Sequence, residues 1–86
     1  MRYRIIRLTL EEQDGTKWYA ESPEDLILDL KLEDWSRPPT VRDFKHRVQV
    51  RTSQAYGIAF VYWDATSFLM GWAEAVGARI TWEVKE

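Results

Sequence analysis

The chain has 86 residues, of which 45% are hydrophobic and 30% charged, and its formal net charge is -2. This length suits a single domain over residues 1–86, and the composition is that of a globular protein rather than a disordered or strongly basic one. The absence of cysteine excludes disulfides and thiolate metal sites. Neither a signal peptide nor a membrane span is recognisable, so a cytoplasmic location is expected.

The first predicted element is a β-hairpin. Residues 2–10 are rich in β-forming side chains and alternate so that one face of a strand is apolar. Asp14-Gly15 is a strong signal for a two-residue type I′ turn, which needs positive φ at both positions. That turn would place Leu10 opposite Tyr19 in a short return strand.

A helix is predicted after the hairpin, and a proline-rich break follows it. Ser22 is a suitable N-cap and precedes a proline, which favours the first helical position. One face of this helix is apolar, with Leu26, Ile27 and Leu30. Residues 35–40 then interrupt the chain, because each proline disfavours helical geometry in the residue before it.

A second helix is predicted over residues 41–55, with Thr40 as its N-cap. Its inward side chains are expected to be Val41, Phe44, Val48 and Ala55. Residues 46–52 also permit a strand, because two valines alternate with polar residues there. A strand at that place would give the chain a ferredoxin-like βαββαβ order, which is the alternative fold.

The C-terminal part is predicted to be strand, helix and strand. Residues 58–63 are continuously apolar and β-prone, which is typical of a strand covered on both faces and ending at Trp63. Asp64 is expected to cap the third helix and Gly77 to end it. The last strand, residues 78–85, is a candidate edge of the sheet, with Ile80, Trp82 and Val84 inward. The predicted fold is therefore a small α+β domain with helices over one face of a sheet.

One glycine lies inside the third predicted helix. A glycine at Gly71 costs helix stability, so a packing reason is expected for it. Close approach to a strand is the preferred explanation, and a groove for a partner is the alternative.

Several short motifs have a spacing that resembles small bacterial and mobile-element proteins with no assigned activity. The motifs are SPEDL, FKHRVQVR, YG and DATSFLMGWAEAVG, and they cover residues 22–77. They consist of helix-cap and core signals. The resemblance therefore implies a helix at residues 40–55 and implies no chemistry.

Catalytic, cofactor-binding and metal-binding residues are not recognisable, so the chain is not expected to be an enzyme. A metal site needs several converging ligands, and the chain has one histidine, His46, and no cysteine. Its glycines are scattered, whereas phosphate loops need them clustered. Adjacent carboxylates in the sequence point to different faces and do not form catalytic pairs. No cofactor is expected.

The segment around the second helix is the basic part of the chain. Residues 35–57 carry a net charge of +4, against -4 for residues 1–34 and -2 for residues 58–86. The candidate nucleic-acid-binding side chains are Arg42, Lys45, His46, Arg47 and Arg51. On the helical wheel they divide around the apolar stripe, whereas a nucleic-acid-reading helix gathers them on one outward face. Nucleic-acid binding is therefore kept as the alternative function.

Five tryptophans are too many for so small a core to enclose completely. Trp18, in the short return strand, and Trp35, in the break, are expected to be exposed, with partial burial at the margin of the core as the alternative. Exposed tryptophan is typical of interfaces, so these two are the candidate partner-binding residues. The predicted function is a non-catalytic protein-interaction domain that binds a protein partner or itself, with a homodimer preferred to a monomer and no membrane partner.

Overall fold

The structure is a computed structural model that describes residues 4–85. Within this range the elements are β1 (Arg4–Glu11), β2 (Lys17–Ala20), α1 (Pro23–Leu32), α2 (Val41–Tyr56), α3 (Ala65–Val76) and β3 (Arg79–Lys85). The strands form an antiparallel sheet in the order β2-β1-β3. The predicted α+β architecture is confirmed. Because residues 46–52 lie inside α2, the ferredoxin-like alternative is wrong.

Among the described residues, the fully buried side chains of the sheet belong to the central strand β1. Leu8 and Leu10 are fully buried, as the alternating pattern predicted. β3 is an edge strand, as predicted, and its outward side chains Arg79 and Glu83 are exposed. The inward alternation of β3 holds only in part, because Val84 near its end is exposed.

The hairpin has a longer loop than the two-residue turn predicted. Gly15 N–H donates to the Glu12 carbonyl at 3.0 Å, and Glu12 N–H donates to the Thr16 carbonyl at 2.9 Å. Gly15 has φ 92°, whereas Asp14 does not have the positive φ that a type I′ turn requires. The loop is therefore a tight turn followed by a left-handed glycine, and Leu10 pairs with Trp18. The predicted pairing of Leu10 with Tyr19 was one residue out.

The helices form two levels above the sheet. α1 packs on β2 and α3 packs on β3, while α2 packs on α1 and α3. Each helix begins at the predicted cap, since Ser22 Oγ, Thr40 Oγ1 and Asp64 Oδ1 each accept a hydrogen bond from the backbone three residues later. Since α2 packs on the other two helices, it is the outer one of the three.

The inward face of α2 differs from the prediction at its C-terminal end. Phe44 and Val48 are buried and Val41 is half-buried, as expected. Thr52 is buried, whereas Ala55 is exposed. The last turn of α2 extends beyond the core and lines an open groove. Ala55 therefore lies on the predicted side of the helix, but no side chain covers it.

Residues 58–63 are not a strand, so this part of the prediction was wrong. Phe60 is buried and Tyr62 is half-buried, but Val61 and Trp63 are 76% and 81% exposed. A strand needs a hydrogen-bonded neighbour, and the sheet's three strands pair only with one another. The segment instead runs over α2 and α3, where Gln49 Nε2 donates to the Phe60 carbonyl at 2.7 Å.

An aromatic cluster centred on α3 joins this segment to the helices. The Phe68 ring lies 5.2 Å from Tyr62, 5.9 Å from Phe60 and 6.1 Å from Phe44, measured between ring centroids. A Cβ atom placed on Gly71 would lie 2.7 Å from Phe60 Cδ2. The close packing predicted for Gly71 is confirmed, although its neighbour is this segment and not a strand.

Candidate functional site: an aromatic groove

A groove of about 370 Å³ opens between the hairpin, the α1–α2 loop, α2 and α3. Its aromatic walls are Trp18, Trp35, Tyr56 and Trp72. Its floor is formed by core side chains, among them Phe44 and Phe68. We call this feature the aromatic groove. It has the mostly apolar lining that is typical of sites for apolar groups.

Both predicted partner-binding tryptophans line the aromatic groove, but they differ in exposure. Trp35 is 81% exposed, as expected. Trp18 is half-buried against the core, and its indole Nε1 donates to Glu12 Oε2 at 3.0 Å. Trp18 thus corresponds to the alternative of partial burial, because the one-residue change in hairpin register brings it over the core beside Leu10.

Trp35 lies in a loop that is fixed by hydrogen bonds. Asp34 Oδ1 accepts from Ser36 N–H at 2.8 Å and from Ser36 Oγ at 2.6 Å. Arg47 Nη1 donates to the Ser36 carbonyl at 2.9 Å. Arg51 Cζ lies 5.6 Å from the centroid of the Trp35 ring, a cation–π distance. Side chains of α2 thus fix the position of the Trp35 indole, which remains exposed to solvent.

The anchor of this loop is the ion pair between Asp34 and Arg51. Arg51 Nη2 lies 2.6 Å from Asp34 Oδ2. Partial burial by itself would raise the pKa of Asp34, but hydrogen bonds from Arg51 and Ser36 favour the carboxylate more strongly. The pKa of Asp34 is consequently lowered to about 2. Asp34 is therefore ionised throughout the physiological range.

The five basic side chains of α2 do not form one surface. Arg47 and Arg51 turn toward the α1–α2 loop. Lys45 turns the other way, with Nζ 5.7 Å from the centroid of the Tyr62 ring. Arg42 and His46 are exposed. The helix therefore divides its charge between two sides, as the sequence pattern indicated.

Trp35 also borders a second depression, next to the aromatic groove. The depression is lined by Trp35, Ser36, His46, Arg47, Val50 and Arg51. The Trp35 indole is thus a ridge between two surfaces. A partner that covers it has access to apolar contacts on either side.

The rim of the aromatic groove is acidic. Its charged lining residues are Glu12, Glu33, Asp34 and Arg51. Arg51 is paired with Asp34, whereas Glu12 and Glu33 have no ion pair among the described residues, and Glu12 accepts a hydrogen bond from the Trp18 indole. Glu33 is also the C-cap of α1, where the helix dipole adds partial negative charge. The rim therefore favours a cationic group.

The sequence did not identify Tyr56, Trp72 and Glu33 as parts of this groove. Trp72 lies on α3 and is half-buried against the core. A clue lay in the number of tryptophans, which exceeds what one small core encloses. No local pattern, however, indicates that residues 18, 35 and 72 meet.

Other kinds of site are not seen in the part of the chain that the structure describes. Over residues 4–85, histidine, aspartate and glutamate side chains nowhere gather in a group of three that could hold a metal ion. In the same range, no helix combines the length and the apolar character needed to cross a membrane. Comparison of the chain with models of known families, with curated proteins and with solved structures finds no match.

Proposed function

We propose that this protein is a non-catalytic interaction domain whose aromatic groove binds a segment of another protein. The observation that carries the proposal is the 81% exposed Trp35 beside a groove with three further aromatic walls. Tryptophan is the residue most enriched among those that dominate binding energy in interfaces. An exposed indole over an apolar groove has much surface to bury on binding and little polar surface to desolvate.

The Trp35 loop is ordered before any partner arrives. The Asp34–Arg51 ion pair and the bonds of Ser36 hold the loop, and Arg51 stacks near the indole. Binding therefore costs little conformational entropy in this loop, and more of the contact energy contributes to affinity. This order supports a rigid docking site in preference to a loop that folds on its partner.

The partner is a protein segment with an apolar or aromatic anchor flanked by lysine or arginine. The groove takes the anchor, and the acidic rim at Glu33 and the end of α1 attracts the flanking cations. Complementary charge speeds encounter and fixes orientation, and its effect decreases with salt. Catalysis is not part of the proposal, because the rim carboxylates Glu12 and Asp34 are engaged in bonds to Trp18 and Arg51.

Nucleic-acid binding through residues 40–55 is the less favoured function. Arg47 and Arg51 are engaged with the α1–α2 loop, and Arg51 is compensated by Asp34. Polyanion binding depends on phosphates neutralised by available cations. Only part of the positive charge of α2 remains for that purpose.

The test is selection from a random peptide library followed by measurement of affinity. We expect selected peptides to combine an apolar anchor with basic residues. Trp35→Ala should weaken their binding about 30-fold or more, corresponding to about 2 kcal/mol, whereas Trp35→Phe should retain part of it. Leu32→Ala is the matched control, because Leu32 is also strongly exposed but does not line the groove.

The charge of the rim is tested with the same peptides. Glu33→Lys should weaken binding and flatten its dependence on salt, because it reverses the charge nearest the flanking cations. Ligands that lack basic residues, or binding that is indifferent to Trp35→Ala, would contradict the proposal.

A further inference from the structure

Residues 58–63, the outer segment, have main-chain groups without partners. The segment contains no charged residue, and its side chains alternate between buried and exposed from Phe60 to Trp63. The Phe60 carbonyl accepts from Gln49, and Trp63 N–H donates to Ser67 Oγ at 2.9 Å. Between Ile58 and Tyr62 the other N–H and C=O groups make no hydrogen bond to any described residue. The segment therefore has the sequence pattern of a strand and unpaired main-chain groups, but no neighbouring strand among the described residues.

The orientation of Phe60 indicates which groups face outward. In an extended chain, the N–H and C=O of one residue point to one edge, and those of the next residue point to the other. The Phe60 carbonyl faces Gln49 of α2. An extended course through Phe60 would place the main-chain groups of Ala59 and Val61 on the open edge, away from the helix. Two donors and two acceptors would thus be presented on one short edge.

We propose that this edge pairs with the same edge of a second copy of the chain, antiparallel, about a two-fold axis at Phe60. Ala59 of one copy then lies opposite Val61 of the other, and each such pair exchanges two hydrogen bonds. The pairing satisfies the outward groups of both residues in both copies. Phe60 stays on the inner edge, so its bond to Gln49 is retained.

The chemistry of the segment suits an identical partner. Because residues 58–63 are uncharged, pairing two copies places no like charges opposite each other. The exposed apolar side chains of Val61, Trp63 and Met70 line one depression together with Asp64, Thr66 and Ser67, and the second copy would cover it. The edge of β3, in contrast, carries exposed Arg79 and Glu83, which is typical of an edge protected from pairing.

The first test measures the mass of the protein in solution by light scattering and sedimentation over a range of micromolar concentrations. We expect a dimer that Val61→Asp dissociates, since the change places a carboxylate beside each pairing edge. The matched control is Leu32→Asp, because Leu32 is 75% exposed and Val61 is 76% exposed. Circular dichroism verifies that both variants fold. A monomeric wild type, or a dimer equally sensitive or insensitive to both changes, would overturn the proposal.

The second test measures the register by disulfide cross-linking. The natural chain has no cysteine, so introduced thiols are the only ones present. Directly opposite residues of this type have Cα atoms about 5.5 Å apart, which a disulfide can span. Ala59→Cys mixed with Val61→Cys should cross-link on oxidation, whereas Val61→Cys alone should not. Equal cross-linking in both samples, or none in the mixture, would overturn the register.

Discussion

Arg51 of α2 and Asp34 of the α1–α2 loop form an ion pair with an Nη2–Oδ2 distance of 2.6 Å. The Asp34 side chain is only 6% exposed, so solvent weakens this pair less than an ordinary surface pair. The two residues are 17 positions apart in the chain. Together with the hydrogen bonds of Ser36, their contact fixes the loop that carries Trp35 and so contributes to the shape of the aromatic groove.

Because of this ion pair, the free energy of unfolding depends on pH in the acidic range. The pKa of Asp34 is about 2 in the folded protein and 3.8 for an ordinary aspartate. Because the folded pKa is the lower one, the stabilisation is fully present above about pH 4 and is lost as the pH falls toward 2. Asp34→Asn should remove a contribution on the order of 1–2 kcal/mol at pH 7, after allowance for the partial exposure of Arg51. Urea unfolding between pH 7 and pH 2.5 measures it.

The control for this experiment is Asp29→Asn, an exposed acid of α1. We expect the free energies of unfolding of wild type and Asp34→Asn to converge at low pH, because protonation of Asp34 removes the same charge. A constant difference from pH 7 to pH 2.5 would show that Asp34 acts without its charge.

The local part of the fold was predictable from short stretches of sequence. Ser22, Thr40 and Asp64 each stand before a helical pattern, and each accepts the backbone hydrogen bond expected of an N-cap. Capping and helical contacts involve residues at most four positions apart, so both can be recognised from a short stretch of sequence. The same applies to Gly57 and Gly77, which end α2 and α3 with positive φ.

The errors concern interactions that a local pattern does not contain. Residues 58–63 have the composition of a buried strand, but a strand exists only where a neighbour supplies hydrogen bonds. The hairpin register depended on the φ of Asp14, and either loop length fits the same residues. The aromatic groove depends on the meeting of Trp18, Trp35 and Trp72, which only the packing of the helices decides.

The burial pattern of α2 predicts that Phe44→Ala and Ala55→Ser differ strongly in their effect on the free energy of unfolding. Phe44 is 4% exposed and packs against Phe68, so Phe44→Ala should lower the free energy of unfolding by about 3–5 kcal/mol, from lost burial and a cavity. Ala55 is exposed, so Ala55→Ser should change it by less than about 0.5 kcal/mol. Chemical denaturation measures both. Similar losses for the two variants would mean that Ala55 is covered in solution.

The division of charge on α2 predicts that the protein does not bind DNA or RNA with useful affinity. Fluorescence anisotropy at low salt is the measurement, because counterion release makes such binding strongest there. We expect no submicromolar binding. Submicromolar affinity that disappears in Arg42→Ala/Lys45→Ala would favour the nucleic-acid alternative. Glu24→Ala/Glu74→Ala, at two exposed positions on α1 and α3, controls for unspecific changes.

The contact between Gly71 and Phe60 predicts that a substitution that normally strengthens a helix will weaken this protein. In an exposed helix, Gly→Ala stabilises by about 1 kcal/mol. At Gly71 the new Cβ would lie 2.7 Å from Phe60 Cδ2, and Phe68 and Tyr62 pack against that ring and limit its movement. Gly71→Ala should therefore destabilise by about 1–3 kcal/mol, the usual cost of overpacking.

Removal of the ring should reverse the sign of that effect. In a Phe60→Ala background the clash with Cδ2 and Cγ is gone, and the remaining 3.3 Å contact with Cβ can relax into the space left by the ring. Gly71→Ala should then stabilise by about 0.5 kcal/mol. The double-mutant cycle measured by urea unfolding then gives a coupling of about 2 kcal/mol or more, which distant residues do not show. Glu74→Ala, at an exposed position of the same helix, should be nearly neutral in both backgrounds. An additive cycle would mean that the outer segment does not rest on α3 in solution, and the edge at Ala59 and Val61 would then lack its support.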